Sequence, residues 1–417
     1  MYVPRPSTPT TDRPVSEWLT RRRIILYSSV MLVLYGLFFL AWAGISRRFA
    51  AFDVVRPGPD FAVFWSASYL MLHGSPWQAY DHRILSDLVL TLLADFQREN
   101  FVAWLYPPTY LLMVTPLALL PFSIAYPCFI GASLVGYVIA VLRISNTAGI
   151  HDAPSLGWIP LVASPCIFVT ATFGQNAMLT AACAALAVYW IDRKPIWAGI
   201  CIGLLTVKPQ MALLFPFALI AVRAWRVLAS AAASAILLSG IAVLVCGVEP
   251  LRLFAVNAGL ARSIILEHGV VFWFASPTSF ATLRLSEVPL VLAYVGHGFV
   301  AVVAIAATRG VWKSTRDTRL RGAVLFVSTL VSNPYLWHYE LAWLGVALSC
   351  IAAIGLRDGW LRGEQAAVMS AWLLPVYEML NPWLKLPQIG PFVLLFTLLL
   401  ILRRVRISAQ NASLGGT

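Results

Sequence analysis

The stretch RRRIILYSSVMLVLYGLFFLAWAGI, Arg21 to Ile45, decides the fold class. Three arginines lead into an apolar run, Ile24 to Ile45, that reaches the ~20 residues a helix needs to cross a hydrocarbon core. Apolar runs recur along the rest of the chain, among them Phe122 to Leu142, Leu156 to Phe173, Ala177 to Ile191, Val227 to Val245, Pro289 to Ala307, Leu336 to Ile354 and Ile389 to Leu402. Of the 417 residues 60% are hydrophobic and only 12% charged, about half the share of charge in a soluble domain. Mean hydropathy is +0.79. A water-soluble core of this length cannot hide that much apolar surface. We expect an all-α polytopic membrane protein, a bundle of about 12 transmembrane helices. Several runs are shorter than a perpendicular crossing, which a bundle tolerates where the helices line a cavity.

The formal net charge of +12 invites a nucleic-acid reading, and the placement of the charges argues against it. Basic residues stand in short clusters between apolar runs: Arg21 to Arg23, Asp192-Arg193-Lys194, Arg223 to Arg226, Arg309 to Arg321, Arg357 to Arg362 and Arg403 to Arg406. That is the pattern of cytoplasmic loops in a membrane protein. Both termini are therefore expected in the cytoplasm. One segment resists this scheme: if Arg143 is cytoplasmic, Tyr106 to Pro121 cannot be a full crossing and is re-entrant. The six cysteines lie within apolar runs, with no CxxC pair and no His at metal-ligand spacing, so they read as small buried hydrophobes. No metal or cofactor is expected, and no P-loop, GxSxG elbow or Gly-rich nucleotide fingerprint is present.

The expected organisation is a disordered cytoplasmic N-terminus over 1–23 without a cleavable leader, one transmembrane domain over 24–407, and a short polar cytoplasmic tail over 408–417. Two outer loops interrupt the domain, 46–105 and 248–287. The first holds Asp53, Asp60, Asp81, Asp87, Asp95 and Glu99, a large part of the chain's few acids. Within it, Ile84 to Phe96 has the spacing of a helix lying along the membrane surface.

Polar residues that a membrane does not need are the functional signal. Asp60, in Gly58-Pro59-Asp60, is either a turn residue or a catalytic carboxylate. Gly174-Gln175-Asn176 separates two apolar runs. Lys208, in Lys208-Pro209-Gln210, either snorkels to water or meets an anion such as a phosphate. His338, in Asn333-Pro334-Tyr335-Leu336-Trp337-His338-Tyr339-Glu340, is either an interfacial bystander or an imidazolium that neutralises a phosphate.

Taken in order, these residues resemble glycosyltransferase family 87, the polyprenyl-phosphate-dependent membrane mannosyltransferases of GT-C architecture. Four pieces carry the resemblance: Asp60 with Tyr69, Gly74-Ser75-Pro76 and Tyr80; Tyr106-Pro107-Pro108; Gly174-Gln175-Asn176 with Gly199, Gly203 and Lys208-Pro209; and Asn333-Pro334 with His338-Tyr339. It implies a polyprenyl-phosphate sugar donor, a glycolipid or glycan acceptor, and an active site on the outer face of a bacterial plasma membrane. It implies Asp60 as catalytic base. His338, Lys208 and Arg262 would hold the donor phosphate, and Tyr69, Tyr80, Tyr106, Gln175, Asn333, Tyr339 and Glu340 would line the substrate site. The apolar residues after Asp60 and the acid at Glu340 depart from the family pattern, and the sugar and acceptor stay open. A transporter or lipid flippase is the alternative, with interrupted helices and buried polar residues of the same kind. The concentration of acids in one outer loop and the lack of an inverted repeat weigh against it.

Overall fold

The computed structural model describes residues 18–48, 57–92, 102–145 and 158–414. Among them the chain is helical, with no strand. Five helices among the described residues are long and apolar enough to cross a membrane. α1 (Arg21–Arg48) is the first, and its arginines form the first turn rather than a leader before it. Leu26, Val33, Leu37 and Leu40 stand exposed on it, as expected of a helix facing lipid. Tyr35 stacks on Phe168 at 4.3 Å between ring centroids.

The segment expected as the first outer loop is folded where it is described, not irregular. α2 (Pro59–His73) and α3 (His82–Leu92) are joined by a short 3₁₀ turn, Pro76–Tyr80. The 15 residues of α2 reach about 22 Å, too short to span. Leu85 and Val89 of α3 are buried in one cluster with Phe61 and Phe64 of α2, while His82, Arg83 and Asp87 are exposed; the Phe96 end of the expected surface helix lies outside the described residues. Asp53, Asp95 and Glu99 lie outside the described residues, as does most of the N-terminal segment over 1–23.

α4 (Pro108–Val114) and a 3₁₀ turn, Thr115–Leu119, account for the segment the basic residues left in conflict. Both stay beside α2: the Ser68 hydroxyl donates to the Thr115 carbonyl at 2.6 Å and accepts from the Ala118 amide at 3.0 Å. Pro108–Leu119 is shorter than a full crossing needs. α5 (Phe122–Ser145), which follows, is long and apolar enough to cross, and starts where Phe122 and Tyr126 meet Phe61 of α2. Its far end, with Arg143, comes to the first turns of the helix that carries Arg321, where Ile144 packs on Gly322.

The run expected over Leu156 to Phe173 is not one helix. Pro165 cannot continue a hydrogen-bonded turn, so the chain restarts there, giving α6 (Ile159–Val162) and α7 (Pro165–Phe173). α8 (Ala177–Trp190), α9 (Pro195–Leu204) and α10 (Phe215–Ala221) are short and apolar; α8 is largely buried, while α9 and α10 also expose Ile196, Trp197, Phe217 and Ile220. α11 (Trp225–Cys246) is a full-length candidate span. Gly199 and Gly203 of α9 sit against Ser230 and Ser234 of α11, so that any side chain at either glycine would strike the partner helix. This is the small-residue spacing that lets membrane helices approach closely.

The segment expected as the second outer loop is also helical: α12 (Glu249–Leu260), a π-helical turn (Ala261–Glu267), α13 (Val270–Phe274) and α14 (Ser279–Leu285). α15 (Leu290–Ser314) and α16 (Thr318–Ser332) form the next hairpin, followed by α17 (Ala342–Asp358), α18 (Glu364–Leu384) and α19 (Gly390–Leu414). α19 continues through the segment expected as a polar tail from Ser408 as far as Leu414; no Gly or Pro interrupts the sequence between Pro391 and Gly415. The central core lies between α5, α8, α16 and α17. Trp343 meets Phe326 edge-on at 5.3 Å and donates to the Thr180 hydroxyl at 3.1 Å, and the Tyr137 hydroxyl donates to the Ala342 carbonyl at 2.9 Å.

This topology has two unlike ends. α8, α9, α10 and α16 each run from a basic cluster at one end to a polar turn at the other: Asn176, Lys208, Met211 and Asn333 stand opposite Asp192, Lys194, Arg223 and Arg321. The Arg357 and Arg403 clusters join the basic end, where Arg404 Nε and Nη2 each donate to one oxygen of the Glu364 carboxylate at 2.6 Å.

Candidate active site

Two glycines in left-handed conformation build the polar end. Gly58 (φ 85°) precedes α2, and Gly174 (φ 76°) follows α7. Only glycine takes this backbone freely. The Gly58 amide donates to the Thr172 carbonyl at 2.8 Å, and a side chain at Gly174 would strike Phe61 and approach Gly58 itself. The contact sets the start of α2 against the end of α7, and so brings Asp60 and Gln175 together. Gln175 Nε2 donates to Asp60 Oδ2 at 2.8 Å, while its Oε1 accepts from the Tyr106 hydroxyl at 2.9 Å.

Lys208 stands in the break between two 3₁₀ turns, Leu205–Val207 and Pro209–Ala212. Its Nζ donates to Asn176 Oδ1 at 3.2 Å and pairs with the Glu340 carboxylate, whose second oxygen has no partner. The same ammonium lies 5.4 Å from the ring centroids of both Tyr106 and Tyr339. Glu340 and Tyr339 reach this point on a 3₁₀ turn, His338–Leu341, fixed to α7 by the Thr170 hydroxyl donating to the Tyr339 carbonyl at 3.1 Å.

These groups line one cavity of about 320 Å³. Its polar wall is Asp60, Tyr106, Gln175, Lys208 and Glu340; Val63, Phe64, Phe173, Val207, Phe254 and Trp337 form much of the rest. Burial raises the Asp60 carboxyl to about 6, against the pull of the Gln175 hydrogen bond and the Lys208 charge, with the Glu340 charge adding to the rise. Its place in the first turn of α2 favours the anion, but desolvation is the larger effect. Burial likewise holds the Tyr106 phenol well above its ordinary range, so it serves as a neutral donor.

Of the residues singled out from sequence, Asp60, Tyr106, Gln175, Lys208, Tyr339 and Glu340 converge on this cavity. Tyr80 stands behind it, its hydroxyl donating to the Tyr106 carbonyl at 3.1 Å. Asn333 caps the turn after α16, accepting from the Tyr335 amide at 3.1 Å. His338 is buried and does not line the cavity. Its ring meets Phe173 edge-on at 4.6 Å, its nitrogens have no hydrogen-bond partner of ordinary geometry, and the Ala275 backbone lies beside it. Arg262 is 69% exposed on the π-helical turn, 3.5 Å from Glu267. Tyr69 lies on the outer face of α2, stacked between Trp65 and His73. The sequence reading missed Asn176, although it stands in the quoted Gly-Gln-Asn turn, and Tyr335 and Trp337, which line the cavity. It also missed Asn257, whose amide bridges the Tyr80 and Trp104 carbonyls at 3.1 and 3.2 Å; one Asn in an otherwise ordinary helix gives no signal. Among the described residues no His, Cys, Asp or Glu cluster suits a metal ion.

The molecule is thus a polytopic all-α membrane protein with a carboxylate and an ammonium facing one partly apolar cavity at the end of its bundle. The chain belongs to glycosyltransferase family 87, whose family model matches residues 104–334, more than half of its length. It is a membrane glycosyltransferase. No curated protein and no solved structure matches it.

Proposed function

We propose that this enzyme moves a sugar, mannose by the family resemblance, from a polyprenyl-phosphate donor to a lipid-linked or glycan acceptor, with Asp60 as general base. One observation carries the reading: Asp60 and Lys208, from distant parts of the chain, face the same cavity. As the acceptor oxygen bonds to the anomeric carbon, its proton passes to Asp60 and the bond from that carbon to the phosphate oxygen breaks. A positioned base serves this step, and the leaving phosphate gathers negative charge that a fixed cation stabilises. Lys208 is that cation. Gln175 aims the carboxylate, and the apolar wall suits the first isoprene units. His338 acts through Phe173, whose ring it holds. Arg262 belongs to the turn that also carries the cavity-lining Ile265.

The test is transfer of labelled sugar from a polyprenyl-phosphate donor to a lipid acceptor in vesicles. The rate should rise with pH through about 6, because only ionised Asp60 accepts a proton; an unperturbed aspartate would place the limb near 3.8. The stability sign is opposite. The raised folded value favours the neutral form, so this group's contribution is present below the unfolded value and lost as pH rises through about 6. If the protein transfers no sugar and instead equilibrates a solute across the vesicle, the transporter reading replaces this one.

We further propose that the cavity opens on the outer face and that the basic end is cytoplasmic, as the positive-inside rule favours. Cysteines placed at Arg83 and Ser314, with exposed Cys128 changed to Ser, should react with an impermeant reagent from opposite sides of the membrane. Labelling of both from one side would reverse or break this topology.

A further inference from the structure

The basic end holds a second cavity, an open cleft of about 800 Å³. It lies between the turns that join α8 to α9, α10 to α11 and α15 to α16. Five cations line it, Arg223, Arg226, Lys313, Arg316 and Arg321, against one carboxylate, Asp192. The positive-inside rule asks only that such residues lie on one side of a membrane. It does not ask that three separate turns aim them into one concavity, and two features go beyond it.

Arg321 is built in place. Its side chain is 11% exposed, its Nε donates to the Thr315 carbonyl at 2.7 Å and one terminal nitrogen to the Trp312 carbonyl at 2.9 Å. The guanidinium lies over the buried Trp312 ring at 5.5 Å. The other terminal nitrogen meets only Asp192, at a loose 3.9 Å. Arg223 has φ 57°, a left-handed backbone that a bulky residue adopts at a cost and that glycine would adopt freely. Arg223, Arg226, Lys313 and Arg316 make no ion pair among the described residues. The cleft therefore concentrates unneutralised charge around one rigid arginine.

Its surroundings identify the source of the missing anion. Trp225, 56% exposed, stands at the rim, where an amphipathic ring suits the membrane interface. From the rim, α11 and α15 carry exposed apolar side chains away from the cleft, including Ile236, Leu237, Phe299 and Val302. We infer that this cleft binds the phosphate of an anionic phospholipid head group, with the acyl chains lying along α11 and α15. Basic pockets between membrane helices recognise lipid phosphates by this chemistry. The site lies at the opposite end of α8, α9, α10 and α16 from the candidate active site, and does not depend on the reaction proposed there.

The test uses the full-length protein in detergent with phosphatidylglycerol, phosphatidylcholine or inorganic phosphate, read by native mass spectrometry and thermal shift. The wild type should retain phosphatidylglycerol in preference to phosphatidylcholine. The exposed double substitution Arg223→Gln with Arg316→Gln should weaken that retention roughly tenfold or more, leaving Arg321 and its folding contacts intact. Arg357→Gln with Arg406→Gln removes the same charge from other helices and should change retention little. Equal loss in both doubles, or in neither, overturns the site. Inorganic phosphate raising the melting point as much as the lipid does, with the same dependence on Arg223 and Arg316, would keep an anion site and reject the lipid as its occupant.

Discussion

Asp60→Asn should lower turnover by ~10²–10⁴-fold, the usual contribution of a general base, with little change in folding. The asparagine keeps the shape of the side chain and can still accept from Gln175 Nε2, which lies 2.8 Å from Asp60 Oδ2. What it loses is the second oxygen as a proton acceptor, since an amide nitrogen takes its place. The variant should also lose the acid limb near pH 6, because the group responsible for it has gone. Asp81→Asn is the matched control. Asp81 Oδ1 accepts from the Arg83 and Ile84 amides at the start of α3, at 2.9 and 3.3 Å, and asparagine caps a helix about as well. Transfer by Asp60→Asn at near wild-type rate would sink the assignment, whatever the donor.

Much of this was legible in the sequence, for a physical reason. A bilayer imposes its thickness on the chain, so the class can be read from composition and from the length of the apolar runs. Polar residues in such a chain are expensive, which is why Asp60, Gln175, Lys208 and Glu340 stood out and why all four line one cavity. Pairings were not legible. Nothing in the spacing says that Lys208 meets Glu340, 132 residues later. Nor does spacing say that His338 turns its ring to Phe173 while Tyr339 and Glu340 turn to the cavity. A 3₁₀ turn decides that, and its alternation of directions over three residues is too local for apolar periodicity to reveal. The short helices were misjudged for a related reason. The run ending at Phe173 is apolar throughout, but Pro165 breaks it, and that break brings Gly174 onto Gly58.

Lys208→Met should do two separable things. Lys208 and Glu340 form a pair whose side chains are 9% and 4% exposed, so removing the ammonium leaves a carboxylate with no compensating charge. Breaking a buried pair from one side typically costs about 3–5 kcal/mol, and the variant should melt earlier and be recovered poorly. The double substitution Lys208→Met with Glu340→Gln removes both charges and should recover most of that stability, since buried pairs contribute little net against neutral replacements. It should not recover activity. If Lys208 faces the leaving phosphate, the stable double variant still lacks the cation, and turnover should stay down by roughly 10²-fold or more, the scale of losing one stabiliser of transition-state charge. Thermal melts and transfer rates on the single and double variants, measured in the same lipid, separate the two effects. A double variant that is both stable and fully active would show that Lys208 is in the protein only to neutralise Glu340, and the phosphate would need another partner. A double variant that is stable and inactive, with Glu340→Gln alone retaining activity, places the catalytic demand on the ammonium itself.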